Sequence, residues 1–222
     1  MELRALIFDM DGTLVDTDEL HFDAYVRVFA DLGMPLERPE YNSRMAGRPN
    51  LEILREYFPD ATDDYHRDLA TLKERTFRDL SPAWEPLAGL TALLAWARER
   101  ELKQALVTSA PRDMAAHLLR AVGLAGTFDV EVYADELPRG KPDPLPYRVA
   151  LERLGVSAAQ AVVFEDSLSG VRSGAGASIL TVGVATTQRP EALREAGAAL
   201  VIADFTDPAL WALLTPPVPE VG

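Results

Sequence analysis

Apolar and polar positions along this chain follow two rhythms, and the change from one to the other divides it into two kinds of territory. Short, largely apolar runs of strand length lie at 5–8, 105–107, 130–133, 161–164, 179–184 and 199–202. A continuous apolar run suits a strand buried on both faces. Between these runs, apolar residues recur at helical spacing over 90–100, 114–122, 146–154 and 191–196. The alternation predicts an α/β fold, a doubly wound parallel sheet covered on both faces. One stretch departs from it. From 17 to 85 the spacing is helical, with helices expected over 18–32, 50–57 and 64–80 and no strand among them. We therefore expect a small all-helical domain, 17–85, inserted into a larger one made of 1–16 and 86–222. Asp16-x-x-Glu19 has capping-box spacing at the entrance, and Pro82 and Pro86 punctuate the return. The tail 215–222 lacks a periodic apolar face and is expected to fray.

Composition narrows the chemistry. With 222 residues, nearly half of them apolar, the chain can bury a sizeable core. No apolar run approaches the roughly 20 residues needed to cross a bilayer. The first run meets Asp9 before a secretory leader could form, so a cytoplasmic protein is the simplest expectation. The absence of cysteine removes disulfides, thiolate zinc sites and thiol nucleophiles together, and the three histidines, His21, His66 and His117, are scattered. Any metal must be held mainly by oxygen. A formal charge of −13 opposes binding to nucleic acid or anionic membranes, and neither partner is expected. Only Lys73, Lys103 and Lys141 supply lysine, so a lysine inside a motif is informative here.

Four short segments could carry chemistry. Asp9-Met10-Asp11-Gly12-Thr13 follows the first buried run; Asp9 and Asp11, two apart on extended chain, can face the same way, and Gly12 permits a tight turn. Two such carboxylates repel unless a cation or proton lies between them, which suits a magnesium site with a nucleophile and an acid/base; a solvated turn capped by acids is the plainer alternative. Thr108 and Ser109 end another strand before a helix, where hydroxyls and backbone N–H groups bind phosphate oxygens, with Pro111 suited to the first helical position. Taken alone, Ser109 reads more readily as a plain N-cap. Lys141, in Gly140-Lys-Pro-Asp-Pro144, sits in a loop too rich in proline to be an exposed helix face, so it either neutralises phosphate or an aspartate or is simply solvated. Glu165-Asp166-Ser167 repeats the first pattern of buried strand, acids, then helix; magnesium or helix capping would each explain it. In open parallel sheets ligands bind beyond the carboxyl ends of strands where the winding reverses, so all four segments are expected to share one pocket.

These residues resemble the four motifs of the haloacid dehalogenase superfamily: D-x-D-G-T, a strand-terminal Thr/Ser, a loop Lys, and an E-D or D-D pair. The resemblance runs through the whole chain and implies a Rossmann-like core. The helical insert is similar to the C1 cap domain of the subgroup holding β-phosphoglucomutase, phosphoglycolate phosphatase and many sugar phosphatases. It implies Asp9 as nucleophile, Asp11 as general acid/base, Thr108, Ser109 and Lys141 as phosphate binders, and Mg2+ held by Asp9, the Asp11 carbonyl and Asp166, with Glu165 ligating directly or through water. Family dehalogenases lack the second acid that Asp11 supplies, and phosphonate-cleaving members rely on a cap lysine, for which Lys73 comes too late in the insert. The implied activity is Mg2+-dependent hydrolysis of a small phosphorylated metabolite, a sugar phosphate or phosphoglycolate-like ester, through an aspartyl phosphate. The cap would close over the substrate, with His21, Arg48 and Asn50 facing it. His21 matches a histidine of the mutase cap, while Gly47-Arg48-Pro49-Asn50 departs from the mutase loop. A β-phosphoglucomutase-type phosphotransferase is the alternative enzyme. A receiver-like phospho-acceptor module is the non-enzymatic one, although such modules are about half this length and lack a cap.

Overall fold

The first apolar run, Ala5–Phe8 (β1), is buried along its whole length, and a six-stranded sheet is built around it. The computed structural model describes residues 2–46, 48–80 and 84–215. Gly47, Pro82 and the tail from 216 onward, each used in the sequence reading, lie outside the described residues. The chain divides into two compact units, one formed by Met1–Asp16 and Glu85–Gly222, the other by Thr17–Trp84.

The first unit holds the sheet. Lys103–Thr108 (β2), Val130–Tyr133 (β3), Ala161–Glu165 (β4), Leu180–Val184 (β5) and Leu200–Ile202 (β6) join β1 in the order β3-β2-β1-β4-β5-β6, every neighbour parallel. The order runs outward in both directions from β1 and β4, so the winding reverses between them. Burial of both faces explains why the central strands β1 and β4 read as continuous apolar runs rather than alternating ones. Phe8 of β1 stacks on Phe164 of β4, with centroids 5.0 Å apart, and Phe205 closes on both rings. Each such ring contributes roughly 1.5–3 kcal/mol on leaving water, so the switch point is also a firmly packed part of the sheet.

The second unit is helical: Asp18–Asp31 (α1), Arg38–Arg44 (α2), Asn50–Tyr57 (α3) and Asp63–Leu80 (α4). They enclose a core of their own that includes Tyr25, Phe29, Tyr41, Ile53, Leu54 and Leu69. The helix α2 lay outside the sequence expectation because seven residues are too few to display a period. The Asp16/Glu19 capping box does not form. Thr17 is the N-cap residue without a side-chain cap bond, and Glu19 instead accepts from Arg38 at 2.5 Å. Arg38 also bonds Asp18 (2.9 Å), so the acids of the first turn join α1 to α2 rather than closing their own helix.

The sheet's helices are Leu90–Glu99 (α5), Arg112–Ala121 (α6), Leu145–Leu154 (α7), Leu168–Gly176 (α8), Pro190–Ala196 (α9) and Pro208–Leu214 (α10). Two local expectations are corrected. Pro111 is the extended N-cap of α6 instead of its first helical residue, and Ser109 therefore lies two residues before the N-cap rather than capping the helix. Short α10, capped by Asp207, was not anticipated. Among the described residues, no helix is long and apolar enough to cross a membrane.

Candidate active site

Parallel register brings the ends of three strands level. Phe8 lies opposite Leu106 of β2 and Phe164 of β4, so the residues that follow, Asp9, Val107 and Glu165, form one row across the switch point. The Asp9 amide continues the ladder by donating to the Phe164 carbonyl (3.0 Å). The chain then turns back at once: Thr13 and Leu14 donate to the Met10 carbonyl, Gly12 donates to Val15, and Gly12 adopts φ +72°. Left-handed backbone costs glycine least. Space matters as much, because a Cβ at Gly12 would overlap the Asp166 carboxylate.

Lys141 reaches this row from the loop after β3. Its ammonium donates to Asp9 Oδ1 (2.6 Å), Glu165 Oε1 (2.5 Å) and the Val107 carbonyl (2.9 Å). Three donors find three acceptors, which is how a lysine with a side chain 3% exposed can stay charged. Burial works against that charge, but Asp9 and Glu165 outweigh it and hold its pKa above the usual lysine value.

The two acids after β4 have different surroundings. Glu165 has no exposure, and both its oxygens are engaged: Oε1 accepts from Lys141 and from Tyr147 Oη (2.7 Å), Oε2 from the Ser167 hydroxyl (3.0 Å) and amide (3.3 Å). Gly170 lets α8 lie against it, since a Cβ there would overlap the same carboxylate. Asp166 Oδ2 has the Thr187 hydroxyl at 2.5 Å. Ser167 is the N-cap of α8, accepting from Gly170, so helix capping falls to Ser167 and not to Asp166.

Asp9, Glu165 and Asp166 each offer an oxygen within 4.8 Å of the others. Three buried carboxylates beside one ammonium leave two negative charges without a partner, the charge of one divalent cation. The strain appears in the titration of the two aspartates. Burial first, then Glu165, raises Asp9 to about 7 against the pull of Lys141; burial, then Asp9 and Glu165, raises Asp166 well above the ordinary carboxylate value. Hard oxygen donors in this number suit Mg2+, and a bound cation would displace those protons. The Asp11 carboxylate is not in this group of three, though it lies close enough to add to the rise at Asp9.

Thr108 ends β2 and is buried; its hydroxyl accepts from the Ala110 amide (3.0 Å), shaping the turn into α6. Ser109 is exposed just beyond it. Four sequence segments thus end on the same edge of one sheet, with Asp9, Lys141, Glu165 and Asp166 in mutual reach.

Sequence reasoning missed Tyr147, Thr186 and Thr187. Tyr147 looks like a core aromatic, and nothing local reveals that its hydroxyl meets Glu165. Thr186 and Thr187 come just beyond the end of β5, much as Thr108 and Ser109 lie at and just beyond the end of β2, so the signal of hydroxyls at a strand end was available.

In the helical unit, His21 and Asn50 belong to one network. His21 Nδ1 lies 2.6 Å from Lys73 Nζ, and its ring stacks on Phe77 (4.3 Å). Lys73 donates to Glu74 (3.1 Å), Asn50 donates to the same Glu74 oxygen (2.6 Å), and Tyr25 donates to Asn50 (2.7 Å). Arg48 belongs elsewhere, donating to Glu56 (2.8 Å) and to the Arg44 carbonyl (2.6 Å).

Comparison with known proteins gives concordant results. Residues 6–184 match the model of the haloacid dehalogenase-like hydrolases. The phosphorylated carbohydrates phosphatase of Thermotoga maritima is 37% identical, over 90% of this chain and 94% of its own. The validoxylamine A 7'-phosphate phosphatase of Streptomyces hygroscopicus is 33% identical, over 92% and 95%. Among solved structures, CbbY from Rhodobacter sphaeroides in complex with phosphate superposes with a TM-score of 0.81 at 29% identity, covering 92% of this chain and 96% of that one.

Proposed function

This chain belongs to the haloacid dehalogenase-like hydrolases and is an enzyme of their phosphatase type, and from that premise we propose that it is an Mg2+-dependent phosphomonoesterase working through an aspartyl phosphate on Asp9. The substrate is a small phosphorylated metabolite, a sugar phosphate or a phosphoglycolate-like ester. The observation that carries the reading is the Asp9 carboxylate: Lys141 pins one oxygen, and Asp166 lies beside it at the sheet's switch point.

Asp9, Asp166 and the Asp11 carbonyl would hold the metal, with Glu165 beside them. When bound, Mg2+ supplies the positive charge that lets a carboxylate approach a phosphate. In the first step an Asp9 oxygen attacks phosphorus, the bond from phosphorus to the ester oxygen breaks, and Asp11 gives its proton to the leaving alkoxide. In the second, Asp11 takes a proton from water, that water attacks the phosphoryl group, and the bond to Asp9 breaks, returning Asp9 and releasing inorganic phosphate. Lys141 holds Asp9 in a single orientation and adds positive charge beside the transferring group. Thr108 and Ser109 would bind its oxygens. Glu165, engaged on both oxygens by Lys141, Tyr147 and Ser167, serves chiefly to fix Lys141. We assign the helical unit, 17–85, the role of cap, with His21, Arg48 and Asn50 as its substrate-selecting residues.

The test is a panel of hexose and pentose phosphates, phosphoglycolate and nucleoside monophosphates, assayed with Mg2+ and after chelation. Phosphate release that requires Mg2+ and vanishes in Asp9→Asn is the expected result. Conversion of a hexose 1-phosphate to its 6-phosphate without free phosphate would replace hydrolysis with mutase chemistry. A long-lived phosphoenzyme that never turns over would replace both with a phospho-acceptor module.

A further inference from the structure

The loop between β5 and α9 brings two hydroxyls to the acidic site, and none of the four motifs contains them. Thr186 Oγ1 donates to the Gly12 carbonyl (2.5 Å). Thr187 Oγ1 lies 2.5 Å from Asp166 Oδ2 and 3.1 Å from the Asp166 carbonyl oxygen. A hydroxyl has one hydrogen to give, and the shorter contact is to the charged acceptor, so Thr187 donates to the carboxylate. The methyl of the same threonine is close to Gly12, where a Cβ would stand 3.1 Å from Thr187 Cγ2. Three segments therefore meet at one point: the turn after β1, the acid after β4, and the loop after β5.

The two threonines do not serve the next helix. The N-cap of α9 is Arg189, without a side-chain cap bond, and neither threonine hydroxyl donates within its own loop. Their hydroxyls go outward, to the two segments that carry Asp9 and Asp166. A carboxylate held through one oxygen offers the other in a fixed orientation, and Mg2+ tolerates little departure from octahedral geometry. Groups that orient a metal's ligands typically affect its affinity by about 10–100-fold when lost.

We propose that Thr187 is a positioning residue for the metal site: its hydroxyl pins Asp166 Oδ2 so that Oδ1 faces the cation, while Thr186 steadies the Gly12 turn. The proposal rests on the magnesium reading above and adds a residue to it. The experiment measures Mg2+ binding by isothermal titration calorimetry on the full chain, with the melting temperature recorded after chelation. The variants are Thr187→Val, Thr187→Ser and Asp166→Asn. Valine keeps the shape and removes the hydroxyl; serine keeps the hydroxyl. Thr187→Val should bind Mg2+ about 10–100-fold more weakly with an unchanged metal-free melting temperature, and Thr187→Ser should bind as the parent does. Parent-like Mg2+ affinity in Thr187→Val, with Asp166→Asn impaired, overturns the role of Thr187 alone. So does equal weakening in valine and serine variants together with a lowered metal-free melting temperature, which marks a structural threonine. Parent-like affinity in Asp166→Asn overturns the magnesium reading and this proposal with it.

Discussion

Each unit of this protein buries one lysine, and the two are buried differently. Lys141, 3% exposed, faces Asp9 and Glu165, whose side chains are 10% and 0% exposed, so cation and anions are sealed in together. Lys73, 1% exposed, faces Glu74, which is 25% exposed, along with the His21 ring nitrogen and the faces of Tyr25 and Phe77. In the sheet unit the lysine is outnumbered by buried acids. In the helical unit the acid described beside it, Glu74, still reaches water. A sealed excess of negative charge is useful to a site that must take up a cation and then an anion; a cluster whose acid reaches water suits recognition. The contrast predicts that the same substitution will have unequal effects in the two units.

The largest effect belongs to Asp9. Asp9→Asn keeps size and hydrogen bonding but removes the nucleophile, and kcat should fall by at least about 10³-fold. Labelled substrate should leave no acid-stable phosphoenzyme. Undiminished turnover would place the nucleophile elsewhere. Lys141→Met comes next. It leaves Asp9 and Glu165 facing each other in a dry site, and removing one partner of a buried charge pair costs about 3–5 kcal/mol. Urea unfolding of the chelated protein measures this, and Mg2+ should restore part of the loss.

A smaller effect follows from pH. Unfolded, Asp9 loses its proton near 3.8; folded without metal, it keeps the proton to about 7. Between these values the folded state binds more protons, so its stability falls as pH rises. Below the window both states are protonated, and above it the folded state carries an unwelcome charge. The chelated protein should therefore melt at a higher temperature at pH 5 than at pH 7.5, Asp9→Asn should flatten that slope, and saturating Mg2+ should remove it. A chelated protein whose melting temperature climbs through this interval would contradict the charge balance drawn for the site.

The same contrast decides what could be read from residue order. The sheet and its chemistry were legible because parallel strands buried on both faces write themselves as largely apolar runs, and the residue after each run falls on one edge. Asp9, Thr108 and Glu165 were found by that rule, with Asp166 one place further along its loop and Thr187 two places beyond the residue that follows β5. Tyr147 does not. Its hydroxyl meets Glu165 only because α7 packs against β2 and β3, a matter of tertiary distance. The helical unit showed its helices in the sequence, but its side-chain network is illegible for the same reason: Lys73 finds His21 across 52 positions and Asn50 finds Glu74 across 24. Even the Asp16/Glu19 spacing misled, because Arg38 from the next helix offered Glu19 a stronger partner than its own helix end.

The smallest effect expected is that of Lys73→Met, which makes in the helical unit the change made at Lys141 in the sheet unit. Methionine fills much the same volume between Tyr25 and Phe77 and removes the cost of burying an ammonium. Glu74 loses one donor, yet Asn50 still donates to it at 2.6 Å and solvent reaches it. Replacing a buried charge is severe only where it strands another, so unfolding free energy should change by about 1 kcal/mol or less. His21 loses the partner on Nδ1 that fixes its orientation, and if the cluster selects substrate, kcat/KM should shift unevenly across a panel of phosphate esters while Mg2+ affinity stays put. A loss of stability matching that of Lys141→Met would show that Glu74 is as sealed as Glu165, and the distinction between the two buried lysines would disappear.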